Sequence, residues 1–343
     1  MKILTIDNVR NLIHKVGLTC FFQRVMNTME LDFSHWNEFN LSPRHATHYA
    51  HGVIELMPCS NKHLYSFKYV NGHPQNPAKG QLSVVAIGLL SEVSSGYPLM
   101  ITEMTLLTAL RTAITGVLAA KYLARPDSKK LAIIGTGAQS EFQVMCFASF
   151  FPLDEVRYYD SDSLAMKKFA KNMTGESFQL VACQNVIEAV SAADIVVTAT
   201  AAKKKQCLFT VNDIAQGTHI HAMGGDCPNK TELDIVLLKQ AKVVVEYLPQ
   251  SLIEGEIQQC SENNVYAELW ELVSNKKSGR VNAQEVTVFD SVGFALEDFS
   301  ILRVVYALAE DYQLGTDLTL IPELDDPKNL YGLISDVTQQ PRF

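Results

Sequence analysis

A basic residue inside an apolar segment is the first candidate for chemistry in this sequence. Arg111 lies within the apolar run of residues 106–113, where a guanidinium is costly to bury unless it meets an anion. A substrate carboxylate is one such anion, and a structural ion pair between two elements is an equally good alternative. Arg111 is therefore a candidate carboxylate-binding residue.

Asp226 is the candidate acid–base residue. It follows a strand-like apolar segment and the two glycines Gly224 and Gly225. The carboxyl end of a strand is where α/β folds place their ligands, and a carboxylate there can accept and return a proton. Glycine followed by aspartate is also a common turn, so a purely structural role stays open.

Three further charged residues have weaker local cases. Lys68 lies between two aromatic residues of an alternating strand, where a packed stem with its ammonium group in solvent is the common arrangement. Arg44 is in a loop, and Glu55 has apolar neighbours but also fits a solvent-facing edge position. The local pattern alone does not assign any of the three to a site.

A glycine loop between an apolar strand and a helix is the strongest local pattern. The loop has the sequence Gly135-Thr136-Gly137-Ala138-Gln139-Ser140. Its first glycine allows a tight turn, and its second lets backbone N–H groups approach a pyrophosphate at the helix N-terminus. Serine stands in place of the third glycine, so the surrounding strand and helix have to support the interpretation. The alternative is a glycine turn that binds nothing.

Asp160 strengthens the cofactor interpretation. It follows the next predicted strand, twenty residues after Ser140. A carboxylate in that position accepts hydrogen bonds from the ribose hydroxyls of a dinucleotide. It would also repel the additional phosphate of NADP, so the pattern favours NAD.

The elements that must position these residues fall into two patterns. Residues 45–105 alternate like strands of a mostly antiparallel sheet, and residues 105–123 have helical spacing. After residue 126 strand and helix patterns alternate, which predicts a parallel sheet covered by helices on both faces. The predicted fold class is α/β, with a Rossmann-type, doubly wound parallel sheet plus an α+β domain. We place the domains at residues 1–125 and 126–309, and residues 310–343 return to the first domain. If the helix predicted over residues 296–309 packs on the first domain, that domain is discontinuous.

Composition narrows the classes of function. A chain of 343 residues is long enough for two domains. Its 29 basic and 37 acidic residues give a net charge of −8, which argues against a nucleic-acid partner.

The N-terminus lacks the pattern of an export signal, and we find no run near the ~20 apolar residues of a membrane span. Seven scattered cysteines predict reduced thiols and a cytoplasmic location. His45, His48 and His51 lack acidic or cysteine partners at ligand spacing, so no metal site is predicted.

Seven segments of the chain, taken in order, resemble the ornithine cyclodeaminase/μ-crystallin family. They are residues 52–58, 67–74, 109–112, 135–143, 224–233, 253–259 and 286–298. Some are unremarkable alone, but in this order they are specific and span most of the chain. The resemblance implies a first domain that binds substrate and forms a dimer, and a second domain that binds NAD.

The resemblance also implies roles for individual residues. Arg44, Lys68 and Arg111 bind the substrate carboxylate, Asp226 is the catalytic acid and base, Glu55 helps to position the distal amine, and Val292 lies beside the substrate. The implied cofactor residues are Ser83, Thr112, Gly135, Gly137, Ala138, Gln139, Asp160, Thr200, Met223, Gly224, Gly225, Lys230 and Ser291. Ser83 replaces an expected threonine and Thr136 an expected asparagine, but both keep a small polar side chain.

The implied reaction converts L-ornithine to L-proline and ammonia in a homodimer. Because it has no net redox change, the bound NAD serves as a temporary hydride acceptor. Two alternatives remain. One is an NAD(P)-dependent amino-acid dehydrogenase or ketimine reductase, and the other is a binding protein of the μ-crystallin kind. The presence of Arg111 and Asp226 argues against the binding protein.

Overall fold

The computed structural model describes residues 1–202 and 204–335, and these contain a seven-stranded and an eight-stranded sheet. The elements of the first half are β1 (Lys2–Leu4), α1 (Ile6–Val16), α2 (Leu18–Ser34), β2 (His45–Tyr49), β3 (Gly52–Ser60), β4 (Leu64–Gly72), β5 (Ala86–Glu92), β6 (Pro98–Glu103) and α3 (Thr105–Leu123). Short 3-10 helices lie at Trp36–Glu38 and Asn76–Lys79. Helices α1 and α2 were not predicted from the sequence.

The second half alternates strands and helices. Its elements are β7 (Lys130–Ile134), α4 (Ser140–Phe150), β8 (Glu155–Tyr159), α5 (Ser163–Asn172), β9 (Gln179–Ala182), α6 (Val186–Val190), β10 (Ile195–Thr198), β11 (His219–Ala222), α7 (Ile235–Gln240), β12 (Lys242–Val245), α8 (Leu248–Glu254), β13 (Val265–Glu268), α9 (Leu269–Val273), β14 (Thr287–Asp290), α10 (Ala295–Asp311), β15 (Thr316–Asp317) and α11 (Gly332–Ser335). Further 3-10 helices lie at Val211–Asp213, Glu256–Gln259 and Glu262–Asn264.

The seven-stranded sheet has the order β15-β1-β6-β5-β4-β3-β2. Its neighbours pair antiparallel except β1 and β6, which are parallel. Along β4 the side chains alternate, and Ser66, Lys68 and Val70 point to the buried face. Helix α10 contacts β3, β4 and β5. Lys68 is therefore buried rather than directed into solvent.

The eight-stranded sheet is parallel throughout, with the order β13-β12-β14-β11-β10-β7-β8-β9. Along β7 successive side chains enter two different cores: Leu131 and Ile133 join one, and Ala132 and Ile134 join the other. A sheet that is buried on both faces is typical of doubly wound α/β folds. This confirms the predicted fold class.

Helix α3 connects the two sheets through a close contact. It packs against β5 of the first sheet and against β11 and β14 of the second. A Cβ atom on Gly116 would overlap the ring of His221 on β11, so only glycine allows the helix to approach this closely. The sequence predicted no segment near the length of a membrane span, but this helix is long and apolar enough to cross a membrane, and 83% of its most apolar window is buried within the fold. That burial is typical of a core helix.

Helix α10 returns the chain to the first sheet. It contacts α2 and α3 as well as the strands of that sheet, and β15 then pairs with β1. The boundary predicted at residue 309 falls inside this helix, which extends to Asp311. We propose on these contacts that the first domain is discontinuous and resumes near residue 294.

Candidate active site

The carboxyl ends of five neighbouring parallel strands form the edge where the predicted cofactor residues lie. Gly135 follows β7, Asp160 follows β8, Thr200 lies just beyond β10, Met223 follows β11 and Ser291 follows β14. Ligands of doubly wound sheets bind at this edge. The edge includes the boundary between β7 and β10, where the chain switches from one side of the sheet to the other.

The glycine loop after β7 has the geometry that a pyrophosphate requires. Gly135 has a φ of 96°, and a Cβ atom there would lie 2.5 Å from the Ala199 carbonyl oxygen. Gly137 is exposed, with open space where its Cβ would be. Helix α4 begins at Ser140 and directs its N-terminal end toward this loop. The loop therefore fits a dinucleotide phosphate.

Asp160 also fixes the shape of this loop. One of its carboxylate oxygens accepts hydrogen bonds from the Thr136 amide at 2.6 Å and from the Thr136 hydroxyl at 3.2 Å. The other accepts one from the Asp162 amide at 2.9 Å. A hydroxyl at position 136 thus supports the acid that the sequence pattern assigns to ribose binding.

Three buried carboxylates hold the segments that follow β11 and α8. Glu256 accepts hydrogen bonds from the backbone amides of Glu232 at 2.8 Å and Leu233 at 2.9 Å. Asp290 accepts them from the amides of Glu256 at 2.8 Å and Ile257 at 3.0 Å. Glu232 in turn accepts a hydrogen bond from the Thr200 hydroxyl.

Glycines provide the room for these carboxylates. A Cβ atom on Gly224 would overlap the Glu232 carboxylate, and one on Gly225 would lie 2.5 Å from Glu256 Oε1. The two glycines before Asp226 therefore have a packing reason to be glycine. Any larger residue would displace the turn that carries Asp226.

Asp226 lies at the open side of this turn. Its side chain is 53% exposed and lies 3.0 Å from Lys230 Nζ. Lys230 is buried and also donates a hydrogen bond to the Thr200 carbonyl oxygen at 3.0 Å. The predicted catalytic carboxylate is thus accessible, while a fixed ammonium group orients it.

Lys68 on β4 and Arg111 on helix α3 share a buried acidic partner, Asp298, and Arg111 also pairs with Glu297. Arg111 Nη1 lies 2.7 Å from Glu297 and Arg111 Nε lies 3.0 Å from Asp298. Lys68 Nζ lies 2.8 Å from Asp298. Burial and, next in size, the neighbouring charge of Arg111 together lower the pKa of Lys68 to about 8, against the opposite effect of Asp298.

Arg44 completes the cationic group. Its guanidinium lies 3.2 Å from Glu55 and 3.1 Å from Glu254. It also donates hydrogen bonds to the carbonyl oxygens of Val292 and Gly293. Arg44 and Glu55 are both buried, in contrast to the surface positions that their local sequence favours.

Glu246 holds the segment that contains Ser291 and Val292. Its carboxylate accepts hydrogen bonds from the Ser291 hydroxyl at 2.7 Å and from the amides of Val292 and Gly293, both at 2.8 Å. Burial raises the pKa of Glu246. Gly293 has a φ of 81° and packs directly on the Arg111 guanidinium.

The remaining predicted cofactor residues lie on helix α3, in the loop before β5 and beside the glycine loop. Thr112 is on α3 and its hydroxyl donates to the Thr108 carbonyl oxygen at 2.8 Å. Ser83 lies in the loop before β5, Gln139 precedes α4, and Ala138 is exposed beside it. Among residues 1–202 and 204–335, no three histidine, cysteine or acidic side chains are grouped as metal ligands.

Sequence analysis missed four acids that pair with or position the predicted site. They are Glu246, Glu254, Glu297 and Asp298. The adjacent acids at 297 and 298 in an otherwise apolar helix were a usable signal, because a buried cation requires a buried counter-charge. No local pattern marks Glu246.

The parallel sheet, the glycine loop and the acid after β8 define this protein as a two-sheet α/β protein with a Rossmann-type nucleotide-binding fold. A family model described as the ornithine cyclodeaminase/mu-crystallin family matches residues 6–313. The chain belongs to that family.

Similar proteins cover nearly all of the chain. An ornithine cyclodeaminase from Agrobacterium tumefaciens (strain Ach5) is 47% identical over 331 residues, which is 96% of this chain and 93% of that protein. A solved lysine cyclodeaminase, described in terms of its recognition of L-lysine, L-ornithine and L-2,4-diaminobutyric acid, has a TM-score of 0.91 at 28% identity and covers 97% of this chain and 99% of its own. An archaeal alanine dehydrogenase dimer with bound NAD has a TM-score of 0.86 at 32% identity, covering 94% and 99%.

The buried carboxylates predict that stability falls as the pH rises toward 8. Burial raises the pKa of Asp290 from 3.8 to about 7 and that of Glu256 from 4.5 to about 8. A raised folded-state pKa stabilises the fold below the unfolded-state pKa, and this contribution is lost as the pH rises through the folded-state pKa. Between pH 4 and 7, the ionisation of Asp290 should lower the free energy of unfolding by up to ~1.4 kcal/mol per pH unit. For the apoprotein we expect Asp290→Asn to abolish this part of the pH dependence.

Urea unfolding at pH 5, 6, 7 and 8 measures this effect. The exposed Asp127 provides the control variant Asp127→Asn, which should keep the pH dependence of the parent protein. Equal pH dependence for Asp290→Asn and the parent would show that Asp290 does not titrate in this range.

Proposed function

We propose that this protein is an NAD-dependent ammonia-lyase that converts L-ornithine to L-proline and ammonia. The observation that carries the proposal is the group of three buried cations, Arg44, Lys68 and Arg111, beside the accessible carboxylate of Asp226. The 47% identity to an ornithine cyclodeaminase over 96% of the chain supports it.

The cofactor in this proposal is NAD, at the carboxyl edge of the parallel sheet. The loop of Gly135 and Gly137 would hold the pyrophosphate, and Asp160 the adenosine ribose. Met223, Gly224, Gly225 and Ser291 would face the nicotinamide half. When bound, NAD supplies a reversible hydride acceptor for the Cα of the substrate.

The chain's own residues bind and orient the substrate in this proposal. Lys68, Arg111 and Arg44 take the α-carboxylate, which fixes Cα relative to the cofactor edge. Asp226 removes a proton from the distal amine so that this nitrogen can attack Cα, and then protonates the departing α-nitrogen. Lys230 holds the Asp226 carboxylate in place at 3.0 Å.

An alanine dehydrogenase is the rival supported by the comparison with the archaeal NAD-bound dimer. Alanine has one ammonium group and no second amine. The site here has the additional buried acids Glu55 and Glu254 around Arg44, and these suit a substrate with a second cation. This feature favours the diamino acid.

We also propose that the protein is a cytoplasmic homodimer that associates through the outer face of the first sheet. Large apolar side chains on three strands of that sheet are exposed, namely Tyr49, Leu56 and Ile87. Alternation with buried residues places Leu56 and Ile87 away from the core, and Tyr49 pairs with Gly52, which shares the strand face of Leu56. The solved alanine dehydrogenase is described as a dimer.

Doubly labelled ornithine tests the proposed reaction. L-Ornithine with deuterium at Cα and heavy nitrogen at the α-amino group is supplied with catalytic NAD. Proline should retain the deuterium, because the hydride returns to the carbon it left. The heavy nitrogen should appear in ammonia, since the distal nitrogen closes the ring. Mass spectrometry of proline and ammonia measures both labels.

Two outcomes would contradict the proposal. Stoichiometric NADH without proline would define an ordinary dehydrogenase. Heavy nitrogen retained in proline would mean that the distal carbon is attacked, which removes the need to oxidise Cα. Absorbance at 340 nm, followed in the same reaction, distinguishes the dehydrogenase directly.

Replacement of the proposed base gives an independent prediction. Asp226→Asn keeps the size of the side chain but removes its ability to take a proton, so turnover should fall at least ~100-fold while NAD and ornithine still bind. Asp162→Asn, on the exposed segment after Asp160, is a control that should retain activity. Near-normal proline formation by Asp226→Asn would take Asp226 out of the mechanism.

A further inference from the structure

Arg44 has more negative charge around it than one guanidinium can balance. Glu55 and Glu254 both lie within 3.2 Å of it, and all three side chains are less than 10% exposed. Asp226 acts electrostatically on both Arg44 and Glu254 and is itself paired with Lys230. Two cations thus face three carboxylates in this part of the site.

Glu254 is the least well satisfied of these carboxylates. Its Oε2 atom is buried and, within the described residues, accepts no hydrogen bond, although Arg44 Nε lies 3.1 Å away. The two oxygens of Glu55, in contrast, both accept hydrogen bonds from Arg44 Nη1. A buried acceptor without a well-aligned donor is costly, so Glu254 is prepared for a further donor.

Substrate binding would increase this imbalance. In the proposed function, which the present inference extends, Arg44 moves part of its hydrogen bonding to the substrate carboxylate. Glu55 and Glu254 then lose part of their pairing with Arg44 while they stay buried. A ligand that brings its own ammonium group to this position restores the balance, whereas a monoamino acid leaves the acids uncompensated.

We propose that Glu254 is a specificity-determining residue that binds the distal ammonium group of a diamino acid, together with Glu55. Glu254 is the last residue of α8 in the second half of the chain, and Glu55 is on β3 of the first sheet. The two acids therefore approach the same guanidinium from the two halves of the chain, Glu55 from a strand and Glu254 from the end of a helix. The ammonium group of the substrate takes the place beside them that Arg44 partly vacates.

The protonation behaviour of Glu254 is consistent with this role. Burial, with smaller contributions from Glu55 and Asp226, raises the pKa of Glu254 to about 7 against the opposite effect of Arg44. A carboxyl group that titrates near neutral pH can ionise when a cation arrives. The arriving ammonium group favours the ionised form.

Equilibrium binding to the NAD-saturated protein tests the role of Glu254 without turnover. Calorimetry in the Asp226→Asn background compares L-ornithine with L-norvaline, which has the same carbon chain without the distal amine. Glu254→Gln should weaken L-ornithine binding ~10- to 100-fold, as expected for the loss of a charged hydrogen bond, and should change L-norvaline binding less than about twofold.

Two further variants test whether weaker binding comes from the lost charge of Glu254 or from a change in the structure. Glu254→Asp keeps the charge and should retain part of the preference for L-ornithine. Glu30→Gln removes a carboxylate that pairs with Lys121, ten residues beyond Arg111 on α3 and thus roughly 15 Å away along the helix. This control should leave both affinities unchanged.

The outcomes separate this inference from the proposed reaction. Equal weakening of both ligands, or no weakening of L-ornithine, would overturn the assignment of Glu254. Selective loss of L-ornithine affinity would support it even if the parent protein formed no proline, because the binding measurement does not depend on the reaction. Failure of the labelled-ornithine experiment alone would therefore leave the assignment of Glu254 in place.

Discussion

Burial of positive charge is the constraint on which the rest of this site depends. Arg111 lies in the core helix α3 with only 5% of its surface exposed, and such a charge is tolerated only beside negative partners with good geometry. Glu297 and Asp298 provide that charge from α10. The need to bring these acids to Arg111 and Lys68 explains why the chain returns to the first sheet after completing the parallel one.

The same pairing links the two sheets around the site. Arg44, which directly precedes β2, contacts Glu254 and the carbonyl oxygens of residues 292 and 293, all from the second half of the chain. Glu246 holds residues 291–293 in place with three hydrogen bonds. The three cations that we propose to bind the substrate and the proposed cofactor edge are thus held in one arrangement by contacts within the protein, and such preorganisation reduces the entropic cost of binding.

The sequence predicted the parts of the fold that depend on local pattern. Strands β7, β9 and β10 belong to the alternation of strands and helices predicted after residue 126, because each is a short run with apolar residues between loops. The glycine loop and Asp160 were also recognisable, since the spacing itself has a physical reason. The four additional acids were not, because pairs such as Lys68 and Asp298 join residues 230 positions apart. Helix α2 was not predicted, although its seven buried residues recur at helical spacing.

We propose that internal carboxylates hold the three cations until the substrate carboxylate replaces them. A crystal structure of Asp226→Asn with NAD and L-ornithine bound would show this replacement directly. The α-carboxylate should lie within hydrogen-bonding distance of Lys68 and Arg111, with the guanidinium of Arg44 turned toward it and the distal ammonium group beside Glu55 and Glu254. An α-carboxylate bound away from all three cations, with their internal ion pairs unchanged, would contradict it.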